Sequence, residues 1–235
     1  MLAAIPYREY ERLQPHLRPL SLELRQIIFR PEDCIEHVYF PTTCLVSLLA
    51  ELSDGTGMEV GLVGNEGMVG VSAILGGSEI KLATVQAQGD ALKLSADVLK
   101  EEFQRAGALQ SALLRYIHGL MAQVSQSVVC NVRHPVEVRL ARWLLMYHDH
   151  LDRDDFEMTH EFMAAMLGVR RASISEVAMK LQEKGFITYE RGHIRIIDRP
   201  GLELFVCECY PVVKEFFEKV LFSSTNGPPV DETQS

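Results

Sequence analysis

The sequence predicts an α+β protein with an N-terminal antiparallel β-roll of jelly-roll type, a long central dimerisation helix and a C-terminal winged helix-turn-helix. Three observations carry that prediction. Short apolar segments separated by glycines fill the chain up to residue 107. An apolar seam with spacings of three and four residues then runs from Ala108 to about Arg133. Further on, Met158 to Ile197 reads as two short amphipathic helices followed by a hairpin. The resulting division is a β-roll sensor domain over 1–107, a dimerisation helix over 108–134, and a DNA-binding domain over 135–222. The Ser/Thr/Pro/Gly-rich tail 223–235 is expected to be disordered.

In the first region, strands are expected at Ile27–Phe29, Glu36–Phe40, Cys44–Leu52, Met58–Val63 and Ala83–Leu94. Asp54-Gly55-Thr56-Gly57 is a hairpin signal, and glycines at 61, 64, 67, 70, 76, 77 and 89 suit the tight corners of a small roll. Such a roll serves either as a structural β-domain or as a sensor with an internal pocket. In the long helix, Leu114, Ile117, Met121, Val124 and Val128 form the seam, and Asn131 continues its register as a polar residue. That seam packs either on the chain's own β-domain or on a second copy. The second reading is preferred, because helix-turn-helix proteins read two half-sites about one helical turn apart. Pro135 breaks the helix and marks a hinge, and a further helix runs from Val136 to about His150.

The segment 158–197 carries the chemistry. Thr159 is an N-cap and Gly168 permits the left-handed turn that ends the first helix. Ala164, Gly168 and Ile174 have the spacing that two crossed helices need, with Met163, Leu167, Val169 and Val177 facing inward. The second helix starts with Arg170, Arg171 and Ser173 outward, donors suited to phosphates and guanine edges. Gly185 closes it. Phe186–Tyr189, the turn Glu190-Arg191-Gly192-His193 and the return Ile194–Ile197 then form the wing. Arg170, Arg171, Ser173 and Glu176 are the expected base readers, and Thr159, His160, Lys180, Arg191 and His193 the expected phosphate contacts. Glu176 either accepts from a cytosine N4 or pairs with Lys180 at i+4.

The whole chain is acidic, with 23 Lys/Arg against 32 Asp/Glu and a net charge of −9, unlike a protein that coats nucleic acid indiscriminately. Between Gly168 and Arg199 the balance reverses, with seven basic residues and four acidic ones. Binding should therefore be selective and salt-sensitive. The start MLAAIPYREYERL lacks a basic region followed by an apolar run, and no stretch suggests a membrane span, so a cytoplasmic location is expected. The five cysteines (34, 44, 130, 207 and 209) are odd in number and show no metal-like framework. Cys207-Glu208-Cys209 puts its two thiols on different faces if helical, so free thiols are expected and no cofactor is implied. An enzyme reading rests on His148, His150 and Asp152, with Asp154 and Asp155 nearby, as a divalent-metal site. No nucleophile elbow, phosphate loop or paired-histidine helix accompanies them.

The order of these parts, with RLARWLLMYHDH followed by MTHEFMAAMLGVRRASISEVAMKLQEKGFI, resembles the Crp/Fnr family of bacterial transcription regulators up to about Arg199. The resemblance implies a cyclic-nucleotide-binding-type β-roll, a homodimer built on the central helix and binding to palindromic operators. It also implies contact with RNA polymerase and gating by a small-molecule effector. Arg171 occupies the family's guanine-reading place and Ser173 its Ser/Thr. Ala172 stands where Glu is common and Glu176 where Arg is common, so a different operator is expected. In the effector cassette, Gly67 to Thr84, Gly70 is followed by Val71 instead of Glu, and Lys81-Leu82-Ala83 replaces the Arg-Ser clamp. Without that carboxylate and guanidinium, cyclic AMP loses its anchors. The N-terminal cysteine group of the family's iron–sulfur members is missing, since no Cys precedes Cys34. A haem- or redox-responsive regulator of the same fold is the alternative, although no axial ligand stands out.

Overall fold

The computed structural model describes residues 1–151 and 153–222. The chain begins with α1 (Tyr7–Leu13), β1 (Arg18–Leu22), β2 (Ile27–Phe29), β3 (His37–Pro41), β4 (Leu45–Glu51) and β5 (Gly57–Val63). A short α2 (Ser72–Leu75), β6 (Leu82–Ala87), β7 (Gly89–Ser95), α3 (Ala96–Gln104) and the long α4 (Ala108–Arg133) follow. The second half holds α5 (Val136–His150), β8 (Asp155–Glu157), α6 (His160–Leu167), α7 (Arg171–Glu183), β9 (Ile187–Glu190) and β10 (His193–Ile196). It ends with α8 (Arg199–Phe205) and α9 (Cys209–Phe222). Among the described residues no helix is long and apolar enough to cross a membrane.

Two antiparallel sheets, ordered β1-β7-β3 and β2-β6-β4-β5, make the roll. Leu22, Val38, Phe40 and Leu94 from the first sheet meet Phe29, Val46, Leu48 and Val85 from the second in one buried core. The expected strand Ala83–Leu94 is two strands, β6 and β7, which lie in different sheets. Gly89 makes the corner, where a Cβ would lie 2.7 Å from the Cys44 nitrogen.

Strand β4 is an apolar run, LVSLLAE, because both of its faces are covered. Val46 and Leu48 enter the roll, whereas Leu45 and Leu49 join Leu62 and Ala87 in a second core with Leu140, Leu144, Met166 and Leu167. Winged helix and roll thus share apolar contact across the outer face of the β4–β5 sheet. Burial of these four aliphatic residues stabilises that seam by several kcal/mol, at about 25 cal/mol per Å².

Helix α4 is anchored at its start by Glu9 of α1, whose carboxylate accepts from Ala108 N and Leu109 N at 2.9 and 2.8 Å. A carboxylate there satisfies two of the N–H groups a helix leaves open and suits its positive end. Along the roll, Tyr116 Oη donates to the Met68 carbonyl (3.0 Å), and Gln123 Oε1 accepts from Leu62 N (2.8 Å). After Asp198 the chain packs Leu202 and Tyr210 into the second core and then lays α9 along α4. Phe217 sits against Gly119, and Phe216 meets His118 edge-on at 5.0 Å. What remains of α4 is an apolar strip in solvent: Leu114, Met121, Val128 and Val132 are 50%, 64%, 57% and 77% exposed. Ile117 and Val124, one step round the helix, are half-buried. Helix α4 ends at Arg133, His134 is extended, and Pro135 caps α5.

Candidate nucleic-acid interface

Thr159 caps α6 by accepting from Phe162 N at 3.2 Å, and Gly168 ends that helix at φ 62°, ψ 41°. Met163, Ala164, Leu167, Ile174 and Val177 are buried between α6 and α7, with Val169 half-buried beside them. Gly168 has a second role. A Cβ there would come within 2.7 Å of Met58 Cε, so the turn of the helix pair lies against the β4–β5 hairpin.

Helix α7 begins at Arg171 without a side-chain cap. Its positive N-terminal end is therefore presented outward along with the guanidinium groups of Arg170 and Arg171, a ready site for an anion. Arg171 Nε pairs with Glu161 at 2.8 Å, both side chains being largely solvated. The side chain of Arg170 makes no hydrogen bond or ion pair among the described residues, and neither does that of Glu176. Lys180 reaches Glu137 on α5 at 3.4 Å, so the i+4 pair with Glu176 is not formed. Ser173 is half-buried on the same turn as Arg170.

His160 is half-buried, with its ring tied to neighbouring elements of the domain. Its Nδ1 lies 2.8 Å from Ser175 Oγ on α7, and its ring stacks on Tyr189 of β9 at 4.2 Å. Burial, and then the Arg171 charge, hold its pKa below the usual histidine value. It joins α6, α7 and the wing in this arrangement.

The wing has three strands, β8-β10-β9, one more than the expected hairpin. Phe156 of the added strand is buried in the second core, but a three-residue strand gives too little alternation to be seen in the sequence. At the tip Arg191 and Gly192 have φ of 50° and 85°, the two left-handed residues of a type I′ turn. Arg191 projects into solvent, with Glu190 3.7 Å from its Nε. His193 and Arg195 both reach Asp155, at 3.5 and 2.8 Å. The Arg195 hydrogen bond, with His193 adding to it, holds the Asp155 carboxyl below its usual range.

The two histidines of the alternative metal-enzyme reading are not brought together. His148 Nε2 lies 2.6 Å from Asp154 Oδ1 while its Nδ1 faces Arg199. His150, two residues on, points across to the roll, with Nδ1 3.2 Å from Glu66. Helical geometry turns these rings to different sides, and Asp152, like the tail 223–235, lies outside the described residues.

Residues 138–205 match the family model described as the Crp-like helix-turn-helix domain. This region is a Crp-like helix-turn-helix domain. The chain also has the fold of solved Crp/Fnr regulators. It is similar to the c-di-GMP-responsive global regulator CLP of Xanthomonas campestris, with TM-score 0.69, 18% identity and coverage of 82% of this chain and 100% of that one. FixK2 of Bradyrhizobium japonicum aligns with TM-score 0.70 and 17% identity over 81% and 98% of the two chains. A CRP/FNR-family transcriptional regulator of Thermus thermophilus aligns with TM-score 0.66 and 20% identity over 83% and 98%. A sequence search among curated proteins finds no match.

Two groups missed by the sequence reading join the Crp-like domain to the roll. The Glu59 carboxylate on β5 accepts from Ser47 Oγ (2.5 Å), Gln86 Nε2 (2.8 Å) and Trp143 Nε1 on α5 (3.0 Å). Burial pushes its pKa up to about 7 against the pull of those donors. Glu66 and His150 form the other link. Burial opposes both charges, but the partners hold each other ionised, the carboxyl below its usual range and the imidazole above. Neither pair has a local motif; each comes from residues more than 80 positions apart or facing each other across the seam.

The loop around Glu79, within the segment 67–84, is closed on itself. Buried Glu79 accepts from Ser72 Oγ at 2.9 Å and from Ile80 N and Lys81 N at 3.0 and 3.2 Å, and Lys81 Nζ lies 3.7 Å away. Lys81, the residue at the clamp position, is thus turned to its own loop.

Proposed function

We propose that this chain is a homodimeric, sequence-specific DNA-binding transcription regulator that works in the cytoplasm on palindromic operators. The observation that carries the reading is the solvated, uncapped start of α7, with Arg170 and Arg171 on it, within a Crp-like helix-turn-helix domain. Arg170, Arg171, Ser173 and Glu176 read base edges from the major groove. Thr159, Lys180, Arg191 and His193 meet phosphates, and His160 braces the helix pair behind them. Arg171 has to leave Glu161 to do so. An exposed pair of that kind is worth about 0–1 kcal/mol, against roughly 1–3 for a bidentate guanine contact, so the exchange favours DNA.

The exposed strip on α4 supports the dimer. Leu114, Met121 and Val128 recur every seven residues, the repeat of a two-helix seam, with Ile117 and Val124 at the intervening positions. Pairing through it sets two α7 helices for half-sites about one helical turn apart. A small-molecule effector alters α7 orientation through the long helix α4 and the Pro135 hinge, and RNA polymerase is a partner of the DNA-bound form. The closed loop around Glu79 argues that such an effector is not cyclic AMP.

Selection of bound duplexes from a random pool by the purified protein, without added ligand, tests this. Recovery of a palindrome with half-sites about ten base pairs apart is expected. No enrichment, with or without a metabolite extract, overturns the reading.

A further inference from the structure

Three of the five cysteines meet in space. Cys130 and His134 stand one helical turn apart at the end of α4, Cys207 lies in the connector between α8 and α9, and Cys209 opens α9. The expectation of thiols on different faces assumed a helix there. The chain instead runs non-helically from Val206 to Glu208, which turns both sulfurs to the same side. Cys130 Sγ and Cys207 Sγ are 3.7 Å apart, Cys209 Sγ and His134 Nδ1 3.5 Å, and all four ligand atoms lie within 4.8 Å of one another. A disulfide needs about 2.05 Å. A tetrahedral ion with Zn–S bonds of about 2.3 Å places neighbouring sulfurs roughly 3.8 Å apart, close to the spacing found.

The surroundings match such a centre. The three cysteines are buried together in a small cluster of their own, with Val138 and Val206 as its apolar neighbours among the described residues. His134 turns Nδ1 to the sulfurs while its Nε2 lies 3.5 Å from Glu208, the carboxylate–histidine arrangement that orients a metal-bound imidazole. Gln126 Nε2 donates to Cys209 Sγ at 3.1 Å, as an outer donor to a thiolate does.

We propose that Cys130, His134, Cys207 and Cys209 form a mononuclear Zn²⁺ site. The thiols bind as thiolates and release their protons to solvent. Its position gives it a task. His134 immediately precedes the Pro135 break, so the ion ties the end of α4 to the chain leaving the Crp-like domain and restrains the turn between α4 and α5.

The test uses the full chain, reduced with a phosphine and stripped of metal by a chelator. Titration with Co²⁺ should produce thiolate charge-transfer and tetrahedral d–d bands saturating at one ion per chain. Zn²⁺ should bleach them, and competition with a chromophoric chelator gives the affinity. Cys207→Ser and Cys130→Ser should each weaken binding at least tenfold, and Cys34→Ser, at an exposed thiol remote in sequence, should not. The wild-type titration stands without the variants if either fails to fold. A folded, reduced wild-type chain that gives no cobalt bands overturns the proposal. So does an as-isolated protein carrying iron and labile sulfide at these cysteines.

Discussion

Arg171 and Glu79 are both charged residues beside a turn, and the molecule treats them in opposite ways. Arg171 is about two-thirds exposed and held by a single solvated carboxylate. Glu79 is 4% exposed and accepts three hydrogen bonds from its own loop. A charge kept in water with one weak partner can be transferred to a ligand for little free energy, whereas one locked by its own backbone cannot. Arg171 is therefore free to exchange its partner, whereas Glu79 is committed to the loop that holds it.

The strongest way to break this contrast is to remove the support rather than the charge. Ile174→Ala, at a fully buried position between α6 and α7, should cost about 2–5 kcal/mol of unfolding free energy in a urea melt and take operator binding with it. Glu59→Gln probes the seam between the two regions. The Glu59 carboxyl stays protonated to about pH 7 in the fold but only to its ordinary 4.5 unfolded. The native state thus holds the extra proton between those values, and stability falls as pH rises from 4.5 to 7, then levels off. Wild type should lose up to about 3 kcal/mol across that window relative to the Gln variant, read from paired melts at pH 5 and pH 8. If the two proteins track each other, the carboxylate is ionised throughout.

Arg171→Ala sharpens the contrast from the other side. Operator affinity should fall by about 1–3 kcal/mol, or some 5- to 150-fold, with the melting temperature unchanged. Equal affinity for the variant would remove Arg171 from the base-reading set. The smallest effect belongs to Lys180→Gln. Loss of its pair with Glu137 should change stability by less than about 1 kcal/mol, while the slope of log affinity against log salt should decrease by about one.

The parts legible in the sequence are those whose physics is local. The bounds of α4 and α5 coincide with expectation because apolar spacing and Pro135 define them along the chain. The helix pair and wing turn were readable for the same reason: Thr159, Gly168 and Gly192 declare their backbone roles on their own. The division of Ala83–Leu94 into β6 and β7 was hidden, since Gly89 sits within an alternation that stays in phase across it. The fate of α9 was hidden too. Its apolar face suits either the winged helix or α4, and only three-dimensional contact chooses. Most opaque were the cysteines, with Cys130 and Cys207 separated by 77 residues and a connector that no periodicity describes.

Trp143 is the chain's one tryptophan, and it stands at the seam, donating its indole N–H to Glu59 with Phe162 and Tyr147 around it. The protein therefore carries its own optical gauge. Any swing of the DNA-binding half away from the roll admits water to that indole and shifts its emission to the red. Stopped-flow fluorescence on unlabelled protein can then time the opening against the arrival of DNA.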